Sequence, residues 1–231
     1  MKIIIVGDLH GDFQALNNLV ESECPDIIFQ VGDFGFLPGK YGWPPDDPPL
    51  RNGETRIYWC DGNHEDHQAL SQFIESNNYE VAPNCFYQPR GAVLTLPDSR
   101  NVLFFGGAAS GDTGDGMEGQ DRYHSEVPQL ADLDNIPSDR SIDIVVSHTA
   151  PMAFKIRQDP PLGYAKLPWL AKHHEETRVL LDEILHRHHP QQWYFGHFHI
   201  HQTGYNEGCR WTALAMPFDG GETWWTELGD G

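Results

Sequence analysis

Lys2-Ile3-Ile4-Ile5-Val6 runs directly into Gly7-Asp8-Leu9-His10-Gly11-Asp12. A short continuous apolar run stopped by glycine predicts a strand buried on both faces, the kind found inside a helix-covered parallel sheet. Outward from it, residues 12–23 carry Phe13, Leu16, Leu19 and Val20 on one side of a helix. Residues 26–31 repeat the first pattern and stop at Gly32, and residues 56–60 repeat it again before Asp61-Gly62. Residues 64–76 then read as a helix with Leu70, Phe73 and Ile74 as its apolar stripe. This β-α-β-loop-β-α order predicts parallel strands covered by helices.

The second half repeats the theme with more antiparallel character. Residues 92–96 and 101–105 flank Pro97-Asp98-Ser99-Arg100 and predict a hairpin. Residues 142–147 read as another buried strand, and residues 175–188 as a helix carrying Val179, Leu181, Ile184 and Leu185. Late strands are expected over 192–195, 199–205 and 209–216. The whole predicts an α/β protein with two sheets and helices outside them, as one domain over residues 1–231. Two stretches, about 37–53 and 106–124, read as irregular loops. The first holds Pro38, Pro44, Pro45, Pro48 and Pro49, which leaves no room for a helix or a central strand.

Composition narrows the function. Fifteen Lys and Arg against 34 Asp and Glu leave a formal charge of −19 over 231 residues. Such a field repels nucleic-acid backbones, so an extended duplex is an unsuitable partner. It does not exclude a small phosphorylated substrate, because bound cations reverse the sign locally. No apolar run is long enough to cross a bilayer, and no basic segment followed by an apolar one opens the chain. A cytoplasmic location is expected. Cys24, Cys60, Cys85 and Cys209 contain no Cys-x-x-Cys pair and read as reduced thiols.

The residues just past each buried strand are the most informative part of the chain. Asp8-Leu9-His10 comes after the first and Gly32-Asp33 after the second; Gly62-Asn63-His64-Glu65 comes after the third. Ser147-His148 and Gly196-His197-Phe198-His199 end two later ones. The carboxyl ends of strands in an α/β sheet line one crevice, so these groups should converge. Carboxylate, amide and imidazole ligands together suit borderline divalent metals such as manganese, iron or zinc. Singly, each motif is explained by an ordinary hydrogen-bonded loop residue; five in the same position relative to a strand are not.

In this order the five motifs resemble the blocks of the calcineurin-like metallophosphoesterase superfamily, over residues 3 to about 217. The resemblance implies a four-layer α/β/β/α sandwich with two central mixed sheets and a dinuclear metal centre. Two divalent ions are implied, manganese foremost, with iron, zinc or nickel also suited to these ligands. Asp8, His10 and His199 would hold one ion; Asn63, His148 and His197 would hold the other, and Asp33 would bridge them. A bridging carboxylate keeps two cations about 3.5–4 Å apart, the spacing that clamps both oxygens of an in-line displacement. The implied activity is hydrolysis of a phosphodiester or phosphomonoester by a metal-bridging hydroxide, with Asp33 and His64 as catalytic residues and His64 assisting the leaving group.

One block departs from the Ser/Thr protein phosphatases that the opening and third blocks also resemble. Their second block continues with a carboxylate that orients the catalytic histidine and an arginine that grips phosphate. Here those places hold Phe36 and Leu37. A monoester dianion needs more positive charge than a diester monoanion, so the loss favours diesters. Arg90 and Arg122 are the candidates to replace the missing arginine as substrate-binding residues. A phosphatase-like monoesterase and a catalytically silent metal-binding interaction module are the alternatives. A nuclease is disfavoured by the charge. His173-His174 and His186-x-His188-His189 read as solvated helix residues, Trp43 as a loop anchor, and Trp224-Trp225 as packing for the last strand.

Overall fold

Strand β1 (Ile3–Val6) is buried along its whole length, and its side chains serve two different cores. Ile4 and Val6 join Phe13, Leu16, Ile28, Ile57 and Leu70, while Ile3 and Ile5 join Phe29, Val102, Phe104, Ile144 and Val146. The period-two alternation of a strand therefore divides the molecule into layers. The computed structural model describes residues 1–41, 43–46, 49–110, 125–161, 168–218 and 220–229.

Past β1, helix α1 (Phe13–Glu23) leads to β2 (Ile27–Gln30), a helical turn α2 (Pro38–Tyr41), β3 (Arg56–Trp59) and α3 (His67–Ser76). Short strands β4 (Glu80–Ala82) and β5 (Cys85–Tyr87) precede β6 (Val93–Thr95) and β7 (Asn101–Phe105). A 3-10 segment at Leu130–Asn135 leads to β8 (Ile144–Ser147) and α4 (Pro168–His188). The chain ends in β9 (Gln192–Phe195), β10 (Gln202–Asn206), β11 (Cys209–Ala213) and β12 (Trp225–Glu227).

Six strands in the order β12-β1-β2-β3-β5-β4 make one sheet, and β10-β11-β9-β8-β7-β6 the other. In each, four central strands are parallel and both edge strands are antiparallel. The sheets face each other across the core containing Phe29 and Phe104, whose rings meet edge to face at 5.4 Å. Leu181, Ile184 and Leu185 of α4 cover the other side of the second sheet with Trp193 and Trp211. This is the expected four-layer sandwich of two mixed sheets. All four cysteines are unpaired. Among the described residues, no helix is long and apolar enough to cross a membrane.

Several local expectations need correction. Helix α3 starts at His67, because the Asp66 carboxylate caps it by accepting from the Ala69 N–H at 3.0 Å. His64 and Glu65 therefore remain in the loop, where backbone direction is free to vary. Proline does not keep 37–53 wholly irregular: Pro38 opens α2, where its missing N–H is no loss. Trp43 anchors this loop, donating Nε1–H to the Val81 carbonyl at 2.6 Å. Helix α4 starts at Pro168, seven residues earlier than expected, and Val179 on it is 54% exposed rather than part of the core stripe. The expected strand at 199–205 begins only at Gln202, which leaves His199 in a loop. In the second irregular stretch, residues 111–124 lie outside the described residues.

Candidate metal centre

The parallel strands β1, β2, β3, β8 and β9 all deliver their next residues to one edge of the sandwich. His10, Asp33, His197 and His199 have φ of 47°, 52°, 65° and 51°. That left-handed region costs a non-glycine residue of order 1 kcal/mol or more, and it persists only where surrounding contacts impose it. The contacts here are specific. The Asp33 carbonyl accepts from the N–H groups of Leu9 and His10 at 3.0 and 2.7 Å. The Asp8 carboxylate accepts from the His197 N–H at 2.9 Å, joining the edges of the two sheets. Glycine is required at Gly62 and Gly196, where a Cβ would overlap Asp33 and the Asp8 carboxylate respectively.

Two groups of donor atoms result. In the first, Asp8, His10, Asp33 and His199 each offer a ligand atom, all within 4.8 Å of one another. His199 Nε2 lies 3.1 Å from Asp8 Oδ2 and 3.2 Å from His10 Nε2. In the second, His148 Nε2 lies 3.0 Å from Asn63 Oδ1, and the His148 and His197 rings are 4.9 Å apart. Asp33 Oδ2 belongs to both groups, 3.6 Å from His10 Nε2 and 3.4 Å from His148 Nε2. Its other oxygen accepts from the His64 N–H at 2.9 Å.

Lone pairs converging in this way need a cation or protons between them. The Val31 carbonyl, 3.0 Å from His148 Nδ1, can only accept, which assigns a proton to Nδ1 and turns Nε2 toward Asn63 and Asp33. Burial disfavours a charged His148, but Asp33 outweighs it and holds the imidazole pKa at about 10. Burial likewise pushes Asp33 up, and His148 more than offsets it, leaving that carboxyl well below the usual range. His197 goes the other way: burial and then the His148 charge hold it neutral. A buried carboxylate shared by imidazoles, with an amide oxygen beside it, fits a pair of borderline divalent ions.

Glu65, quoted in the third strand-end motif but given no role there, is a positioning group. It is buried, and its Oε1 accepts from Phe34 N–H at 2.6 Å and more weakly from Gly35 N–H. Its Oε2 accepts from Gly62 N–H at 2.7 Å. It thus ties the Asp33 loop to the Asn63 loop. Burial, reinforced by Asp33, raises its carboxyl to about 8.

The two arginines singled out from the sequence fare differently. Arg90 is committed elsewhere: its guanidinium donates to Asp61 Oδ2 at 2.6 Å, to Asp132 and to the carbonyls of Ser125 and Glu126. It lines a separate cavity with Tyr87 and His67, not the one lined by Asp33 and His64. Arg122 lies outside the described residues. Phe36 is sealed among Trp43, Trp59 and Phe73 and offers nothing polar to His64. The site cavity, about 450 Å³, is lined instead by Arg157, Gln158 and Glu222, with Asp33, Asn63, His64, His197 and His199. Nothing local to Arg157 in the sequence marks it, since it lies ten residues past a buried strand.

His174 also departs from expectation. It is buried rather than solvated, stacks on His197 with centroids 5.7 Å apart, and lies 3.0 Å from Asp159 Oδ1. Asp159 Oδ2 pairs with the fully buried Arg178, whose guanidinium also donates to the carbonyls of Ala150, Pro151 and Phe154. This arrangement fixes the segment that carries Arg157. Burial opposes ionisation of Asp159, but His174 and Arg178 overcome it and hold its pKa below 3.8. A carboxyl depressed in the fold stabilises fully above its unfolded value and loses that contribution as pH falls through its folded value. Asp159→Asn should therefore lower stability by about 2 kcal/mol at pH 7, a discounted figure for a partly exposed pair. The deficit relative to wild type should shrink below pH 3.8; urea titrations at pH 7 and pH 3 measure it, and a pH-independent deficit contradicts it.

Known proteins supply independent comparisons. The sequence model of the calcineurin-like phosphoesterase family matches residues 1–201. Among curated proteins nothing matches. Among solved structures, phosphopantetheinyl hydrolase from Mycobacterium tuberculosis superposes with a TM-score of 0.52 at 13% identity, over 100% of this chain and 96% of that one. GAP50, the anchor in the inner membrane complex of Plasmodium, gives 0.51 at 11% identity, over 93% and 71%. Another solved chain gives 0.60 at 12% identity, over 98% and 94%. At these identities the structures speak for the fold alone. With most of its length matched by the family's own sequence pattern and the same sandwich beneath it, this chain belongs to the calcineurin-like phosphoesterase family.

Proposed function

We propose that the protein is a metal-dependent phosphoesterase cleaving small phosphodiesters or phosphomonoesters, diesters preferentially. The observation that carries this reading is Asp33 Oδ2, which stands 3.6 Å from one donor group and 3.4 Å from the other. Asp8, His10 and His199 would hold one ion, and Asn63, His148 and His197 the second, with Asp33 between them. Divalent ions there, manganese being the first choice, would acidify water and neutralise phosphoryl oxygens.

The chain's own groups do the rest. The Asp33 bond to the His64 backbone fixes where the His64 ring enters the cavity, and that ring sits 5.4 Å from the His10 ring. His64 would hold a proton for the departing ester oxygen. Phe36 and Leu37 supply no cation for a dianion, which favours a singly charged diester. The formal charge of −19 supports a small substrate over a nucleic-acid duplex, in a cytoplasmic setting.

Reconstitution with manganese, then comparison of a bis-aryl with a mono-aryl phosphate, is the test. Faster diester turnover is expected. His64→Ala should cost about 10²–10³-fold in kcat with an alkyl leaving group and much less with p-nitrophenolate, which leaves without a proton. Equal losses on both would contradict the proton-donor role. The second reading, an interaction module without turnover, takes support from GAP50, a protein of this fold described as an anchor. Two bound metals with no hydrolysis of either ester would favour it.

A further inference from the structure

We infer that Arg157 and Glu222 form a substrate-charge selector at the mouth of the cavity. Both residues line the cavity that holds Asp33, Asn63 and His64, and Arg157 is its one lysine or arginine among the described residues. Arg157 is thus placed to meet an anionic oxygen of a bound ester, whereas Leu37 carries no charge and Arg90 lines another cavity. Its charge is balanced within the protein, because Arg157 Nη2 lies 2.7 Å from Glu222 Oε1.

Both ends of this pair are held at the backbone. The Arg157 N–H donates to Gln202 Oε1 at 2.9 Å, and Glu222 Oε2 accepts from the His201 N–H at 2.9 Å. The side chains are more than a third exposed, so the guanidinium is free to share its donors with a ligand. An arginine has five N–H donors, and one carboxylate leaves several unused. With Glu222 bound, the pair offers directed donors and no net charge. That combination suits a diester monoanion. A monoester dianion gains less from it, since Glu222 cancels the attraction that the second charge would call on.

Glu222 is accordingly a specificity-determining residue, and Arg157 a binding one. The inference rests on the phosphoesterase reading, and its test separates the two. Arg157→Ala in the manganese-loaded protein should raise KM for the bis-aryl phosphate about tenfold, with kcat changed less than threefold. Inorganic phosphate, titrated by calorimetry, should bind it about tenfold more weakly than it binds wild type. Glu222→Gln keeps an oxygen for the His201 N–H while removing the charge. It should raise the mono-aryl to bis-aryl ratio of kcat/KM severalfold and strengthen phosphate binding.

Metal content per chain, measured on each variant, excludes a disturbed centre as the cause. Unchanged KM and phosphate affinity in Arg157→Ala, or an unchanged ester ratio in Glu222→Gln, would overturn the selector in an active enzyme. If wild type hydrolyses neither ester, the phosphoesterase reading fails by itself, and the phosphate titrations still decide whether Arg157 binds the anion.

Discussion

Asp33→Asn is expected to lower kcat by on the order of 10³-fold or more, comparable with removing a principal electrostatic group from other active sites. The substitution keeps shape and removes one charge at the atom that both donor groups share. Asn would present either a neutral oxygen or an NH2 to His10 and His148, and an NH2 cannot ligate. Metal content should fall from two ions per chain to one or none. The fold should survive, because Asp33 gains its stability from charges gathered around a buried carboxylate, and its loss also removes the demand for a protonated His148. His148→Ala should act in the same direction on turnover. Hydrolysis, metal analysis and thermal melting on the same preparations check all of this. Full activity in both variants would refute the shared-carboxylate reading, whereas a loss accompanied by unfolding would reassign Asp33 to the core.

Glu65→Ala should produce the largest loss of stability among the site variants, about 3–5 kcal/mol. It strips the acceptor from Phe34 N–H and Gly62 N–H, both buried, and from Gly35 N–H at a longer 3.4 Å. Each buried donor left unsatisfied costs about 1–3 kcal/mol, against a total stability of roughly 5–15 kcal/mol for an ordinary domain. Glu65→Gln should cost much less, since a carboxyl raised to about 8 already carries a proton at pH 7 and the amide keeps one accepting oxygen beside a donor. Function should decline with stability: the loops freed are those that aim Asp33 and Asn63, and losing such support typically weakens metal affinity about 10–100-fold. Urea midpoints and manganese titrations measure the two effects. A midpoint shift equivalent to under about 1 kcal/mol would show that the three N–H groups find water or other partners.

Much of this centre was legible from the chain because its logic is local. Val6, Val31, Trp59, Val146 and Phe195 sit at or just past the ends of buried runs, and each is followed within a few residues by a group with a lone pair to offer. Asp8, Asp33 and Asn63 could be placed at one end of the first sheet and His148 and His197 at one end of the second from that spacing, since parallel strands within a sheet share a direction. The glycines beside them pointed the same way, and the close approaches of Gly62 to Asp33 and Gly196 to Asp8 give the reason. Less was legible where elements are short. β4 and β5 have three residues each, too few for a periodicity to declare itself.

The sequence by itself determined two sheets flanked by helices and the donor-bearing residues that follow their buried strands, because buried strands need apolar runs and turns at their ends take polar residues and glycine. The four-layer arrangement came from the family resemblance. Only the tertiary structure decided which charges remain for substrate. Arg90 meets Asp61 across 29 positions of chain, and Arg157 meets Glu222 across 65. His174 looked like a solvated helix residue until α4 was laid beside the two separate loops that carry Asp159 and His197. Charge pairing is settled by distance in space, and a periodic reading of the chain carries no information about which distant segments a fold brings within 3 Å.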